Sequence, residues 1–215
     1  MKYIAYFILL TTGVRAIGQT TPFEKEIQTF ETRDRQTPPP ADAILFTGSS
    51  SIRFWTDLPA YFPGKVVLNR GFGGSQLSDV RHFADRVIVR YHPRQIVLYA
   101  GENDIATGRQ TARQTCARFV DVFRHVRKKL PNTTFTYIAI KLSPSRRQFW
   151  PAMNDANRRI SRFLATRPNA QFVDIRPVML DPGGQPLGAL FKPDSLHMNQ
   201  KGYERWAPVL QPFLK

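Results

Sequence analysis

The sequence predicts an α/β protein built on a parallel sheet with helices on both faces. Three observations point there. Five short apolar runs recur along the chain, stretches with apolar residues at helical spacing separate them, and small or polar residues gather where the runs end. Continuous apolar runs, without alternation, fit strands covered on both faces. Strand–helix alternation of this kind joins parallel neighbours through right-handed crossovers.

Lys2 gives the chain a positive start, residues 4–12 are mostly apolar, and Val14-Arg15-Ala16 resembles a small-residue cleavage site. The run is too short to span a bilayer. Residues 1–18 therefore read as a secretory signal peptide, with the mature protein secreted or periplasmic and no integral membrane segment left after its removal. Residues 19–40 are a polar lead-in ending in Thr37-Pro38-Pro39-Pro40, a run that is extended and cannot be helical. Residues 41–215 form the domain proper, and a chain of 215 residues suits one such domain.

Within it the strands are expected at 43–47, 66–69, 95–100, 135–140 and 172–175, the last being the weakest. Helices are expected at 76–91, with Leu77, Val80, Phe83, Ala84 and Val87 on one face, and at 111–130, with Phe119, Val122, Phe123 and Val126, stopped by Pro131. Two more follow at 151–164 and 201–214, the latter limited in regularity by Pro208 and Pro212.

Composition narrows the function. With 42% hydrophobic and 22% charged residues the chain has the balance of a globular protein, which excludes global disorder. The formal charge of +15 is carried by basic residues scattered singly and in small groups, without the interleaved aromatics of a stacking surface. That fits a basic envelope or extracellular protein, with no nucleic acid as partner. Cys116 is the only cysteine, so no intramolecular disulfide can form. It shares a helical pattern with Phe119, Val120 and Phe123 and reads as core or near-core.

Active sites of open parallel sheets lie outside the carboxyl ends of the strands. There the sequence places Gly48-Ser49-Ser50-Ser51, Asn69-Arg70-Gly71-Phe72-Gly73-Gly74, Gly101-Glu102-Asn103-Asp104 and Asp194-Ser195-Leu196-His197. The glycine-rich turn lacks the lysine of a P-loop, and no acidic residue ends its strand as a dinucleotide site would require. Together the clusters describe acyl transfer. A serine hydroxyl needs an adjacent base, the base needs a carboxylate to orient it, and the oxyanion needs fixed donors. Of the four histidines only His197 has a carboxylate, Asp194, at a spacing that brings the two together in a turn. The N–H groups of Ser50 and Gly74 and the amide of Asn103 are candidate donors. Read singly, Asp104 would cap the segment after it and Ser75 the helix after the glycine turn.

The ordered set GSSS, NRGFGG, GEND and DSLH resembles the SGNH, or GDSL-like, hydrolase superfamily, whose blocks are GDS, a glycine, GxND and DxxH. The resemblance runs from about Ala43 to Trp206. It implies a flavodoxin-like three-layer α/β/α sandwich with about five parallel strands, and neither metal nor cofactor. It also implies roles: Ser50 as nucleophile and oxyanion donor, Gly74 and Asn103 as further donors, His197 as base and Asp194 as its orienter. Ser49 stands where the family has aspartate, which leaves Ser49, Ser50 and Ser51 as possible nucleophiles. Ser50 is the third residue of the block, directly after the strand-ending turn. Ser75 stands where an aspartate often follows the glycines.

Trp55, Arg146 and Arg147 are candidate substrate-binding residues, an aromatic and guanidinium set suited to sugar or an anionic substrate. The expected substrate is a small ester or acylated glycan, with an acetyl or other short acyl group on carbohydrate or small lipid. Lysophospholipase or acyltransferase chemistry and a non-catalytic glycan-binding relative are the rivals. Nothing in the sequence fixes the oligomeric state.

Overall fold

A computed structural model describes residues 22–215. The expected signal segment, residues 1–18, lies outside the described residues. Five parallel strands, β1 (Ile44–Gly48), β2 (Val67–Gly71), β3 (Gln95–Tyr99), β4 (Thr134–Ile138) and β5 (Ala170–Val173), form one sheet in the order β2-β1-β3-β4-β5. This is the flavodoxin-like order, whose switch point lies between β1 and β3.

Because successive strand residues face opposite sides, each strand feeds two cores. Leu45, Ile96, Leu98, Phe135 and Tyr137 pack beneath one layer. Ile44, Phe46, Val97, Tyr99 and Ile138 pack beneath the other. On the first side lie α1 (Glu24–Gln36), α4 (Leu77–Val87), α6 (Ala112–Lys129) and α7 (Trp150–Leu164). On the second lie the short α2 (Ser50–Arg53) and α3 (Leu58–Tyr61), and α8 (Gln200–Leu210). Between β3 and α6 sits α5 (Glu102–Ala106).

The expected helix at 111–130 is α6, opened by a capping box in which the Thr111 side chain accepts from the Gln114 N–H and the Gln114 side chain accepts from the Thr111 N–H. Pro212 falls in a 3₁₀ turn, Gln211–Phe213, that follows α8. Cys116 is half-buried against the first core, and burial pushes its thiol above the ordinary value.

The lead-in segment contains a helix, α1, that the sequence reading did not assign. Only Ile27 of α1 is fully buried, and Phe23 and Phe30 are partly so. Polar contacts supply the rest. Arg70 pairs with Asp34, whose other oxygen accepts from the Tyr91 hydroxyl at 2.5 Å. Arg86 bonds both Glu31 oxygens, at 2.7 and 2.9 Å, and Glu24 at 2.9 Å.

At the switch point the chain leaves β1 through Gly48, which has φ 118°. A Cβ there would stand 1.9 Å from the Tyr99 carbonyl oxygen on β3. Gly48→Ala is therefore expected to destabilise the fold by about 3 kcal/mol, since both the positive φ and the backbone clash must be relieved. Urea unfolding checks this, and a loss below about 1 kcal/mol would show that the turn can relax.

Candidate active site

The ends of β1, β2 and β3 and the loop before α8 meet over the switch point. After Gly48 the chain turns at once into α2. The Ser49 N–H donates to the Tyr99 carbonyl at 2.9 Å, and Ser50 is the first residue of the helix. Asn69 holds that turn against β2, because its amide donates to the carbonyls of Ile52 and Trp55 and accepts from the Gly71 N–H.

The Asp194–His197 segment is an irregular turn with Ser195 at φ 55°. Asp194 Oδ1 accepts the N–H groups of both Leu196 and His197 at 2.9 Å. Its Oδ2 lies 2.6 Å from His197 Nδ1. A carboxylate can only accept, so Nδ1 carries a proton, and in the neutral imidazole Nε2 is the acceptor. Nε2 lies 3.0 Å from Ser50 Oγ. Partial burial works to raise the Asp194 carboxyl, but the His197 ring and the two backbone N–H groups outweigh it and lower the carboxyl to about 2. The edge of Phe54 packs against the His197 ring, 4.9 Å between centroids.

Gly74 turns with φ 70°. Neither its N–H nor that of Ser50 is taken up by another group among the described residues. Asn103, 7% exposed, donates from Nδ2 to the Ser75 carbonyl at 3.2 Å. These three groups and His197 border one cleft of about 380 Å³.

Arg146 reaches this cleft, but Arg147 stacks its guanidinium on Trp150, 4.8 Å from the ring centroid, and does not line the cleft. Trp55 is fully buried between Phe46, Phe62, Tyr203 and Trp206. It is a core residue, contrary to expectation, because the turn after α2 drives the indole under the second layer. Ser75 does not cap α4: Gln76 does, in a box with Asp79, and the buried Ser75 hydroxyl has no hydrogen-bond partner among the described residues. Asp104 does not cap the segment after it; its carboxylate accepts the Leu77 N–H at 2.9 Å at the start of α4.

The sequence reading missed a buried ionic cluster along the cleft floor. Glu102 accepts from Ser143 Oγ at 2.6 Å and from the Tyr99 hydroxyl at 2.7 Å, and it pairs with Lys141. Burial raises Glu102, but the charges of Lys141 and Arg146 overcome this and hold it below the usual carboxylate range. Burial pushes Lys141 below its ordinary value against the pull of Glu102. A signal existed: Lys141 ends the apolar stretch 138–140, where a strand end faces the site. Glu26 of α1 was also missed. Its carboxylate accepts the Gly73 N–H at 3.2 Å and pairs with Arg53 at 3.0 Å, forming one wall of the cleft.

The fold is the SGNH scaffold, and the protein is a carboxylic ester hydrolase. The chain belongs to the GDSL-like Lipase/Acylhydrolase family, whose sequence model matches residues 41–205. The α1 helix precedes that match. A comparison with curated proteins finds no match. Solved structures share the fold at low identity. A protein from Streptococcus pneumonia has a TM-score of 0.77 at 20% identity, covering 89% of this chain and 92% of its own. A GDSL-like lipase from Bacteroides thetaiotaomicron has a TM-score of 0.74 at 18% identity, with 87% and 96% covered. An acetylxylan esterase from Geobacillus stearothermophilus has a TM-score of 0.64 at 12% identity, with 81% and 95% covered.

Proposed function

We propose that the protein hydrolyses short acyl esters, acetyl above all, on a carbohydrate or other small polar alcohol through an acyl-enzyme on Ser50. The observation that carries this is the continuous line from Asp194 Oδ2 through His197 to Ser50 Oγ, 2.6 and 3.0 Å. In this reading Ser50 Oγ attacks the ester carbonyl while its proton passes to His197 Nε2. The N–H groups of Ser50 and Gly74 and the amide of Asn103 receive the oxyanion. Collapse expels the alcohol, which takes the proton from His197. Water then attacks the acyl-enzyme, with His197 as base, and frees the acid and Ser50. Asp194 keeps the imidazole in the tautomer that exposes an acceptor to Ser50.

The lining of the cleft supports a short acyl chain. Phe54 and Leu196 are its large apolar members, whereas Glu26, Arg53, Glu102, Lys141 and Arg146 are charged. A long alkyl chain would gain little there, since apolar transfer free energy requires apolar surface. The likeness to an acetylxylan esterase agrees with an acetylated sugar. Export from the cytoplasm, read from residues 1–18, would place the enzyme where such polymers occur.

The test is a p-nitrophenyl ester series from acetate to decanoate, beside acetate release from acetylated xylan and fatty-acid release from lysophospholipid. The expected result is kcat/KM highest for acetate, falling at least tenfold by octanoate, with acetate released from the glycan. A preference for long chains or lysophospholipid would replace this reading with a lipid-directed one. Binding of acetylated glycan without any turnover would favour a non-catalytic relative.

A further inference from the structure

Arg146 was expected to grip substrate, yet its guanidinium is committed within the protein. The side chain is only 14% exposed. Nη2 donates to Asn103 Oδ1 at 2.8 Å, and Nη1 lies 3.6 Å from Glu102 Oε1. Glu102 is itself held by Lys141, Ser143 and Tyr99. A chain of polar contacts thus runs from the buried Lys141 to the side chain proposed to receive the oxyanion.

An asparagine amide has an oxygen and a nitrogen end of nearly the same shape, and its terminal torsion is soft. Which end faces the reacting carbonyl decides whether it stabilises or repels the oxyanion. Two contacts decide it here. Arg146 can only donate, so it selects Oδ1; the Ser75 carbonyl can only accept, so it selects Nδ2. Nδ2 carries two hydrogens, and Ser75 takes one, leaving the other for the cleft. The Ser75 contact is the longer of the two, at 3.2 Å. A charged donor on Oδ1 also polarises the amide and strengthens its remaining N–H as a donor.

We infer that Arg146 is a positioning residue for ester hydrolysis: held by Glu102, it fixes and polarises the Asn103 amide so that Nδ2 meets the oxyanion. This rests on the reading of Asn103 as an oxyanion donor. It distinguishes Arg146 from a substrate-binding arginine, because its effect does not depend on what the substrate offers beyond the ester.

The experiment uses phenyl acetate, which offers no hydrogen-bond acceptor for a guanidinium apart from the ester itself. Arg146→Met is expected to lower kcat by about 10- to 100-fold, a part of what loss of a whole oxyanion donor removes, with KM changed less than about twofold. In an Asn103→Ala background the same replacement should change kcat by less than about threefold, because the residue it acts through is gone. Arg146→Lys keeps the charge against Glu102 but not the forked donor. It should lie between wild type and Arg146→Met, and it serves as the probe if Arg146→Met does not fold. Wild-type kcat in the Arg146 variants, losses that multiply with Asn103→Ala, or a rise in KM alone would each overturn the inference while Ser50-dependent turnover left the hydrolase reading standing. Wild-type turnover that Ser50→Ala does not touch would overturn both.

Discussion

Replacing Ser50 by Ala is expected to lower kcat for ester hydrolysis by on the order of 10⁴- to 10⁶-fold, with Tm nearly unchanged. Ser50 Oγ is the only hydroxyl of the Ser49–Ser51 set bonded to His197, and it opens on the cleft. Removing it leaves the proposed oxyanion donors and base in place, so the residual rate would be that of water attack within the site. Ser49 and Ser51 are buried, and neither hydroxyl bonds the imidazole. Ser49→Ala and Ser51→Ala should therefore keep activity within about tenfold of wild type. The measurement is p-nitrophenyl acetate turnover by the three variants, with near-ultraviolet circular dichroism as the control for folding. Should Ser50→Ala retain more than a hundredth of the wild-type rate, the nucleophile lies elsewhere.

Asp194→Asn is expected to cost roughly 10³- to 10⁴-fold in kcat while leaving KM for a small ester within a few-fold. An amide can donate to Nδ1, which stabilises the tautomer with its proton on Nε2, where Ser50 needs an acceptor. The Asp194 side chain is 47% exposed, so water takes over part of the lost interaction and the effect falls short of a buried carboxylate's. Hydrogen bonds from His197 and Leu196 hold the wild-type carboxyl down at about 2. A depressed folded-state value means that the stability this group contributes is complete above the ordinary carboxylate value and is lost as pH falls through about 2. Acid inactivation of ester turnover above pH 4 must therefore come from a group other than Asp194. A pH–rate profile checks this: a carboxylate limb between pH 4 and 5 that vanishes in Asp194→Asn would contradict it.

Much of the fold is legible in local pattern. A strand buried on both faces is mostly apolar, as β1 and β3 are and as β4 is apart from its two threonines; a helix covering one face repeats every three to four residues, as α4 and α6 do. Thr111 and Pro131 bracket α6 because capping and helix termination act within a turn of chain. α1 was not legible. Its single fully buried residue carries no periodic signal, and the contacts that hold it, Asp34 with Arg70 and Tyr91 and Glu31 with Arg86, join residues far apart in sequence.

The candidate site divides along the same line. Local pattern picks out the candidates whose chemistry is set by neighbours a few positions away: the serines in a strand-ending turn, and the Asp194–His197 pair whose spacing closes one short loop. Trp55, Arg146 and Arg147 take their places through packing in three dimensions. An indole or guanidinium serves equally in a core, on a surface or at a substrate, and burial, not local pattern, selects among them. The same holds for Glu102 and Lys141, which the ends of β3 and β4 bring together. A buried ionic cluster is a property of distance in space, where desolvation makes each charge require its partner, and sequence separation carries no record of it.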